Sequence, residues 1–445
     1  MKISIIGTGY VGLVTAVCLA DKGHQVVCVD IDGAKIEQIQ NAKPPIYERG
    51  LEALLQKHIN RNLRATTRLY SAVIDSDVSF ITVGTPFDGK RIDLSFVRDA
   101  AWQIGTALKD KSTYHVVVVK STVVPGTTDD VVLPTLENAS EKKAGIDFGV
   151  GVNPEFLREG EAIQDFMFPD RIVLGGIDEA SLGMLEQLYR VFVGADIIKT
   201  NNKTAEMIKY TSNALLATLI SFSNEIANLG TTIGGVDCVE VMRGVHLDRR
   251  LSPLQSNGSR MTPPITSYLA AGCGFGGSCF PKDVKALAAH GEMVGRPMQL
   301  LNAVLDVNAD QPHQIRTLLH KHFSTLSDVH VAVLGLAFKP GTDDVRESPA
   351  IAIIHDLLAE RAFIQAYDPV AKREAQRLLT DSRIRFCDTL EQTINGVQAV
   401  IVVTSWEEFH RLPTYLANIE PQPLVVDCRR ILPKHSVARY AGIGL

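Results

Sequence analysis

Short, nearly unbroken apolar runs recur along the first third of the chain, at 2–6, 25–29, 78–83, 115–119 and 148–152, with a further one at 171–174. Between them the apolar positions follow helical spacing. Continuous rather than alternating runs mark strands buried on both faces, as in a parallel sheet covered by crossover helices. From 203 to 229 the pattern changes to "KTAEMIKYTSNALLATLISFSNEIANL", without proline and rich in Ala, Leu and Met. It predicts one long helix, followed by further helical segments to about residue 322. Strand-like runs then resume at 329–334, 363–367, 399–403 and 424–426. The predicted fold class is α/β: two Rossmann-like domains, 1–200 and 323–445, joined by a long central helix within a helical region, 201–322.

Composition narrows the function classes. The 445 residues are 45% hydrophobic and 21% charged with a net charge of −5, which gives no basic footprint for nucleic acid. Seven cysteines form no CxxC pair and no Cys/His cluster, so no metal site is expected. The opening "MKISIIGTGY" reads as a first strand and not a signal peptide, and the apolar stretch 214–222 is too short to span a bilayer. A cytoplasmic protein with free thiols and no membrane partner is expected.

Gly7-Thr-Gly9-Tyr-Val-Gly12 follows the first strand and opens a helix, and Asp30 ends the second strand about twenty residues on. This is the setting of a dinucleotide fingerprint, with Tyr10 and Val11 at the helix start facing the pyrophosphate. Asp30 suits the ribose hydroxyls of NAD, while Lys35 nearby leaves NADP open. Thr85, Thr122 and Glu155 each fall just past a strand's carboxyl end, where open α/β sheets bind ligands. Lys209 and Asn213, four apart on the long helix, share a face. "GCGFGGSCFPKD", from Gly272 to Asp283, surrounds Cys279 with glycines. Such surroundings offer a buried thiol little to pack against, yet allow close approach of backbone; packing and reactivity both stand as readings.

In order along the chain come "GTGYVG", "VDID", "GTP", "KSTVVPGTT", "NPEFLREG", "AEMIKYTSNA", "GFGGSCFPKD", "FKPGTDDVRESPA" and "VVDCRR". This series resembles the nucleotide-sugar 6-dehydrogenase family over almost the whole length, and the cysteine and NPEFLREG motifs are its most specific parts. The resemblance implies a four-electron oxidation of a primary alcohol to a carboxylate with two NAD+ reduced. UDP-glucose is the favoured substrate; GDP-mannose, dTDP-glucose or a UDP-amino sugar are the alternatives. Cys279 would be the nucleophile that forms a thiohemiacetal and then a thioester. Lys209, helped by Asn213, would stabilise oxyanions, Asp283 would act with a bound water, and Glu155 would be the hydrolytic base with Thr122 positioning water. The two carboxylate roles are interchangeable at this stage. NAD contacts would come from Asp30, Lys35, Thr85, Thr122, Glu159, Lys282 and Arg346, which makes Lys35 compatible with NAD. Substrate contacts would come from Glu155, Phe156, Leu157, Arg158 and Glu159, from Lys209 and Asn213, and from Tyr268, Leu269, Ala270, Ala271, Gly272 and Gly276. In the C-terminal domain, Lys339 and Arg429 would close on the nucleoside diphosphate. A homodimer built on the long helix is also implied.

One segment departs from the family pattern. Where an arginine is usual, nine residues before Gly272, this chain has Pro263. Arg249, Arg250 and Arg260 precede it, and one of them would reach a substrate diphosphate from the partner subunit, with Arg260 favoured as the nearest. Alanine at each position in turn, with KM compared for UDP-glucose, GDP-mannose and dTDP-glucose, identifies it. The contact arginine raises KM roughly tenfold or more, since a lost charged hydrogen bond costs about 1.5–3 kcal/mol; three unchanged variants would remove the segment from the site.

Overall fold

In the computed structural model, which describes residues 1–445, every strand-like run named above coincides with, contains or lies within a strand. The chain divides into two units, Met1–Ser212 and Asn213–Leu445. The first contains β1 (Lys2–Ile6), β2 (Gln25–Val29), β3 (Leu63–Thr66), β4 (Val78–Ile81), β5 (Val116–Val119), β6 (Gly149–Val152), β7 (Arg171–Gly176) and β8 (Asp196–Thr200). They form one eight-stranded sheet in the order β3-β2-β1-β4-β5-β6-β7-β8. All of Val116–Val119 is buried, as expected of a central strand covered on both sides.

The sheet is not parallel throughout, as the run of buried strands suggests. β7 pairs antiparallel with β6 through Gly151 and Gly176, and β8 then runs parallel to β7. Only a six-residue helix, Ala162–Met167, lies between β6 and β7, so the chain turns back instead of crossing over. Glycine is needed at the reversal: a Cβ on Gly151 would sit 2.7 Å from the Gly175 carbonyl oxygen.

The second unit carries β9 (His330–Leu334), β10 (Phe363–Tyr367), β11 (Ile384–Phe386), β12 (Ala399–Val402), β13 (Leu424–Asp427) and β14 (Tyr440–Gly442), in the order β11-β10-β9-β12-β13-β14. Each sheet therefore reverses strand order beside its first strand, between β1 and β4 and between β9 and β12, where α/β sheets open a binding crevice. A single helix of 32 residues, Asn202–Ile233, spans the chain division, four residues longer at its C-terminal end than the sequence pattern marks.

The two crevices differ chemically. After β1, Gly7 takes φ +102°, and the half-buried Asp30 at the end of β2 accepts from the Thr8 amide at 2.8 Å and hydroxyl at 2.7 Å. After β9, Gly335 takes φ +91°, and Asp368 at the end of β10 accepts from the Leu336 and Ala337 amides and the Trp406 indole. Asp368 is buried and turned entirely inward. The second sheet thus repeats the plan of the first without a carboxylate left facing outward for ribose hydroxyls.

Candidate active site

The fingerprint glycines divide by what surrounds them. A Cβ on Gly12 would lie 1.9 Å from the Gly7 carbonyl oxygen, and one on Gly7 would meet Thr82 at 3.0 Å. At Gly9 it would meet nothing within 4 Å. Gly9 is also the N-cap of the helix Tyr10–Asp21, with no side chain capping it and no acidic residue in the first turn. Bare amides at a helix N-terminus beside open space fit a dinucleotide pyrophosphate. Burial pushes the Asp30 carboxyl up, but hydrogen bonds from Asp32 and Thr8 and the nearby Lys35 cation hold it below its ordinary value. Asp30 is therefore an anionic acceptor, suited to ribose hydroxyls. The Thr85 hydroxyl donates to the Thr122 carbonyl at 2.8 Å, so the loops after β4 and β5 are joined just where both residues were expected.

Glu155 follows β6 and is buried. Its Oε1 lies 2.9 Å from Lys209 Nζ, with both side chains 5% exposed, and its Oε2 accepts from the Leu157 amide at 2.6 Å. Burial drives this carboxyl up; the Lys209 cation, the Leu157 amide and Lys120 together bring it below its usual range. The Lys209 ammonium also lies 5.6 Å over the Phe156 ring, whose face takes Arg171 at 3.9 Å.

In the second unit, Cys279 is the N-cap of the helix Phe280–Met293 and is partly exposed. The positive end of a helix favours a thiolate. Asp283, in the first turn, is buried; its Oδ2 accepts from Asn213 Nδ2 at 2.6 Å and its Oδ1 pairs with Lys282 at 2.6 Å. Carboxylate and amide are thus in contact, and the cysteine heads the helix whose first turn carries that carboxylate.

The glycines of this loop serve packing more than openness. A Cβ on Gly276 would sit 2.2 Å from the Glu347 carbonyl oxygen, and on Gly277 2.7 Å from the Phe338 ring. On Gly272 it would meet Arg429 at 2.9 Å, and on Gly274, at φ +99°, Asn308 at 2.9 Å. The loop backbone lies directly against the C-terminal segments. Asn224 accepts from the Gly272 amide, Gln311 donates to the Gly272 carbonyl, and Asn308 bonds both polar backbone groups of Phe275.

Comparisons with known proteins follow this division of labour. Residues 1–193 match the NAD-binding domain of the UDP-glucose/GDP-mannose dehydrogenase family, 203–310 its central domain and 332–434 its UDP-binding domain. The chain belongs to the UDP-glucose/GDP-mannose dehydrogenase family. A UDP-glucose 6-dehydrogenase of Haloferax volcanii is 40% identical over 448 aligned positions, covering 100% of both chains. A GDP-mannose 6-dehydrogenase of Pseudomonas aeruginosa is 43% identical over 370, covering 83% of this chain and 81% of its own. The structure of a UDP-glucose dehydrogenase from Pyrobaculum islandicum superposes with a TM-score of 0.89 at 38% identity, covering 99% of this chain and 97% of that one. The chain is an NAD-dependent nucleotide-sugar dehydrogenase.

Several residues that the dehydrogenase pattern assigns to ligands have structural partners here. The Tyr10 hydroxyl donates to Glu48 and accepts from the Gly160 amide at 3.0 Å, leaving its backbone at the fingerprint. Arg158 pairs with Asp165 at 2.6 Å and Glu161 at 2.8 Å, Arg346 with Asp344 at 2.8 Å, and Arg250 with Asp248 at 2.6 Å. Arg260 donates to the Leu247 and Ser252 carbonyls, closing its own loop, while Arg429 donates to the Val403 and Gly274 carbonyls. Lys339 lies 5.7 Å over the Phe338 ring, and Tyr268 stands 6.3 Å from the Phe280 ring. Leu269 is buried, Ala271 half-buried and Ala270 exposed, and Lys35 is half-buried. Three supporting acids and bases were not singled out from sequence. Buried Glu48 ties the NPEFLREG turn to the first helix through the Gly160 and Ala162 amides. Glu206 accepts from Gly126 and Thr128, holding the loop beyond Thr122, and burial pushes its carboxyl up to about 7. Lys120 is buried at the end of β5. Lys120 and Glu206 lie within the motifs KSTVVPGTT and AEMIKYTSNA, but nothing local marks either as buried; Glu48 lies outside every motif.

The Lys209–Glu155 pair has a measurable signature. Lys209→Met strands a buried carboxylate and costs about 3–5 kcal/mol in urea unfolding. The double variant Lys209→Met/Glu155→Gln recovers most of that loss; an equal loss in single and double variants would show that the pair is not the unit.

Proposed function

We propose that this dehydrogenase is a UDP-glucose 6-dehydrogenase, oxidising UDP-glucose to UDP-glucuronate. The observation that carries the four-electron reading is the thiol at the N-terminus of the helix that also carries the buried Asp283, itself paired with Asn213 of the long helix. An alcohol dehydrogenase that stops at one hydride has no use for such a thiol. The UDP-glucose 6-dehydrogenases among the full-length relatives support the substrate. NAD+, when bound, accepts one hydride in each oxidation step. Cys279 attacks the aldehyde carbon, and the thiohemiacetal so formed is oxidised to a thioester. Lys209 balances the negative charge on the substrate oxygen in each tetrahedral species. Glu155, kept ionised by Lys209, takes a proton from the water that Thr122 orients, the C–S bond breaks, and Cys279 leaves as thiolate. Asp283 exchanges protons with Cys279 and the alcohol through a bound water, with Asn213 fixing its orientation. GDP-mannose is the second reading, favoured by the 43% identity to a GDP-mannose 6-dehydrogenase.

A homodimer in the cytoplasm completes the reading. The central helix exposes Leu215, Phe222 and Leu229, seven residues apart, at 51%, 48% and 56%. Heptad spacing of large apolar side chains suits a second copy of the same helix.

Two outcomes follow. Purified enzyme given limiting UDP-glucose yields two NADH per sugar, and Cys279→Ala makes no acid while binding NAD+ as wild type does. One NADH per sugar, or turnover of GDP-mannose alone, would refute the assignment. Phe222→Glu/Leu229→Glu shifts the light-scattering mass from dimer to monomer; an unchanged mass would place the interface elsewhere.

A further inference from the structure

We propose that Lys120 is a positioning residue for Glu155: a buried cation that fixes the turn bearing this carboxylate and keeps it ionised for thioester hydrolysis. The inference rests on the reaction proposed above.

The placement follows from strand register. β5 and β6 are adjacent and parallel, with Val119 opposite Val152, so the next residues, Lys120 and Asn153, lie side by side. The Asn153 amide donates to the Val119 carbonyl at 3.0 Å. Lys120 Nζ donates to Asn153 Oδ1 at 2.7 Å and reaches its backbone oxygen at 3.5 Å. The same Oδ1 accepts from the Tyr189 hydroxyl, and Asn153 Nδ2 donates to the Val173 carbonyl at 2.9 Å. Asn153 is thereby held from β5, β7 and a helix at once. Pro154 follows with its fixed φ, and Glu155 comes next.

The charge needs its own explanation. Lys120 is 4% exposed, and its hydrogen-bond partners are the oxygens of Asn153 rather than a carboxylate. A lysine there is costly, and a neutral donor would tie β5 to β6 equally well. The groups that feel it are Glu155, which favours its charge, and Lys209, which opposes it; the Phe166 ring lies 5.7 Å away. Burial, with Lys209, brings its ammonium down to about 8, so it remains mostly protonated at neutral pH. Lys120 is in turn among the groups that lower the Glu155 carboxyl. Glu155 therefore has two cations, one in contact and one behind the turn. In hydrolysis water oxygen bonds to the thioester carbon, the C–S bond breaks to release thiolate, and the water proton passes to Glu155. No redox change occurs, so a Glu155 that is misplaced or protonated more of the time slows this step without slowing hydride transfer.

The sign of the pH effect is fixed. Removing a cation raises the Glu155 pKa, so the acidic limb of kcat moves to higher pH, on the order of one unit for a nearby charge. The test begins with wild-type enzyme giving two NADH per UDP-glucose. Lys120→Met should then show a near-normal NADH burst, a thioester on Cys279 in the intact mass, kcat reduced roughly tenfold with KM for NAD+ unchanged, and the shifted limb. Lys120→Gln, which keeps a hydrogen bond to Asn153 without the charge, is read in the same way if the Met variant does not fold. Tyr189→Phe, which loosens Asn153 but keeps the cation, should leave the limb in place. An unmoved limb without thioester in the uncharged variants overturns the role of Lys120 alone. Wild-type enzyme that fails to give two NADH overturns the reaction assignment and this inference with it.

Discussion

A carboxylate taken out of water must be met by positive charge or lose its own, and Glu155 is the place where this chain faces that requirement. Its partner Lys209, at 2.9 Å, comes from the central helix, while Glu155 itself comes from the end of β6. The pair thus depends on the register of a helix and of a strand at once. Much of the surrounding architecture serves to hold these two registers. Glu48 fastens the turn beyond Glu155, Asn153 fastens the strand end before it, and Glu206 fixes the Thr122 loop to the same helix that carries Lys209. A buried pair of this kind adds little net stability. It provides a carboxylate that is anionic and a cation that is already oriented before substrate arrives.

The cysteine loop meets a different constraint, the approach of backbone to backbone. Four glycines sit where any side chain would collide with Arg429, Asn308, Glu347 or Phe338. With the loop seated on those segments, Cys279 is fixed at the head of its helix and Asp283 follows in the first turn. Buried amides, Asn224 and Gln311, satisfy the polar groups of Gly272 that this burial removes from water. Packing and the thiol therefore fall on different residues of the motif: the glycines pack, and Cys279 stands partly exposed at the head of the helix.

The same economy is visible in the two sheets. Both follow one strand order and both set a glycine at positive φ after the first strand with an aspartate at the end of the second. Asp30 keeps an outward side, whereas Asp368 is wholly used by four backbone amides and an indole. One plan gives a dinucleotide crevice in the first case and a sealed turn in the second.

The sequence alone determined the buried strands, the central helix and the motif residues. Those signals are local: unbroken apolar runs, helical spacing, and glycines at fixed offsets from a strand end. It did not reveal β3, β8, β11 and β14, all four of which are the outermost strands of their sheets. An edge strand has one neighbour and fewer buried positions, so its apolar pattern is weak; in β8 no residue is buried. Tertiary structure also decided the antiparallel turn of β7 and the partners of Tyr10, Arg158, Arg260 and Arg346. Above all it decided Lys120. A lysine at the end of an apolar run reads as the solvent-exposed end of a strand. Parallel pairing instead sets it, buried, beside Asn153, a relation between residues 33 apart in the chain that no local pattern contains.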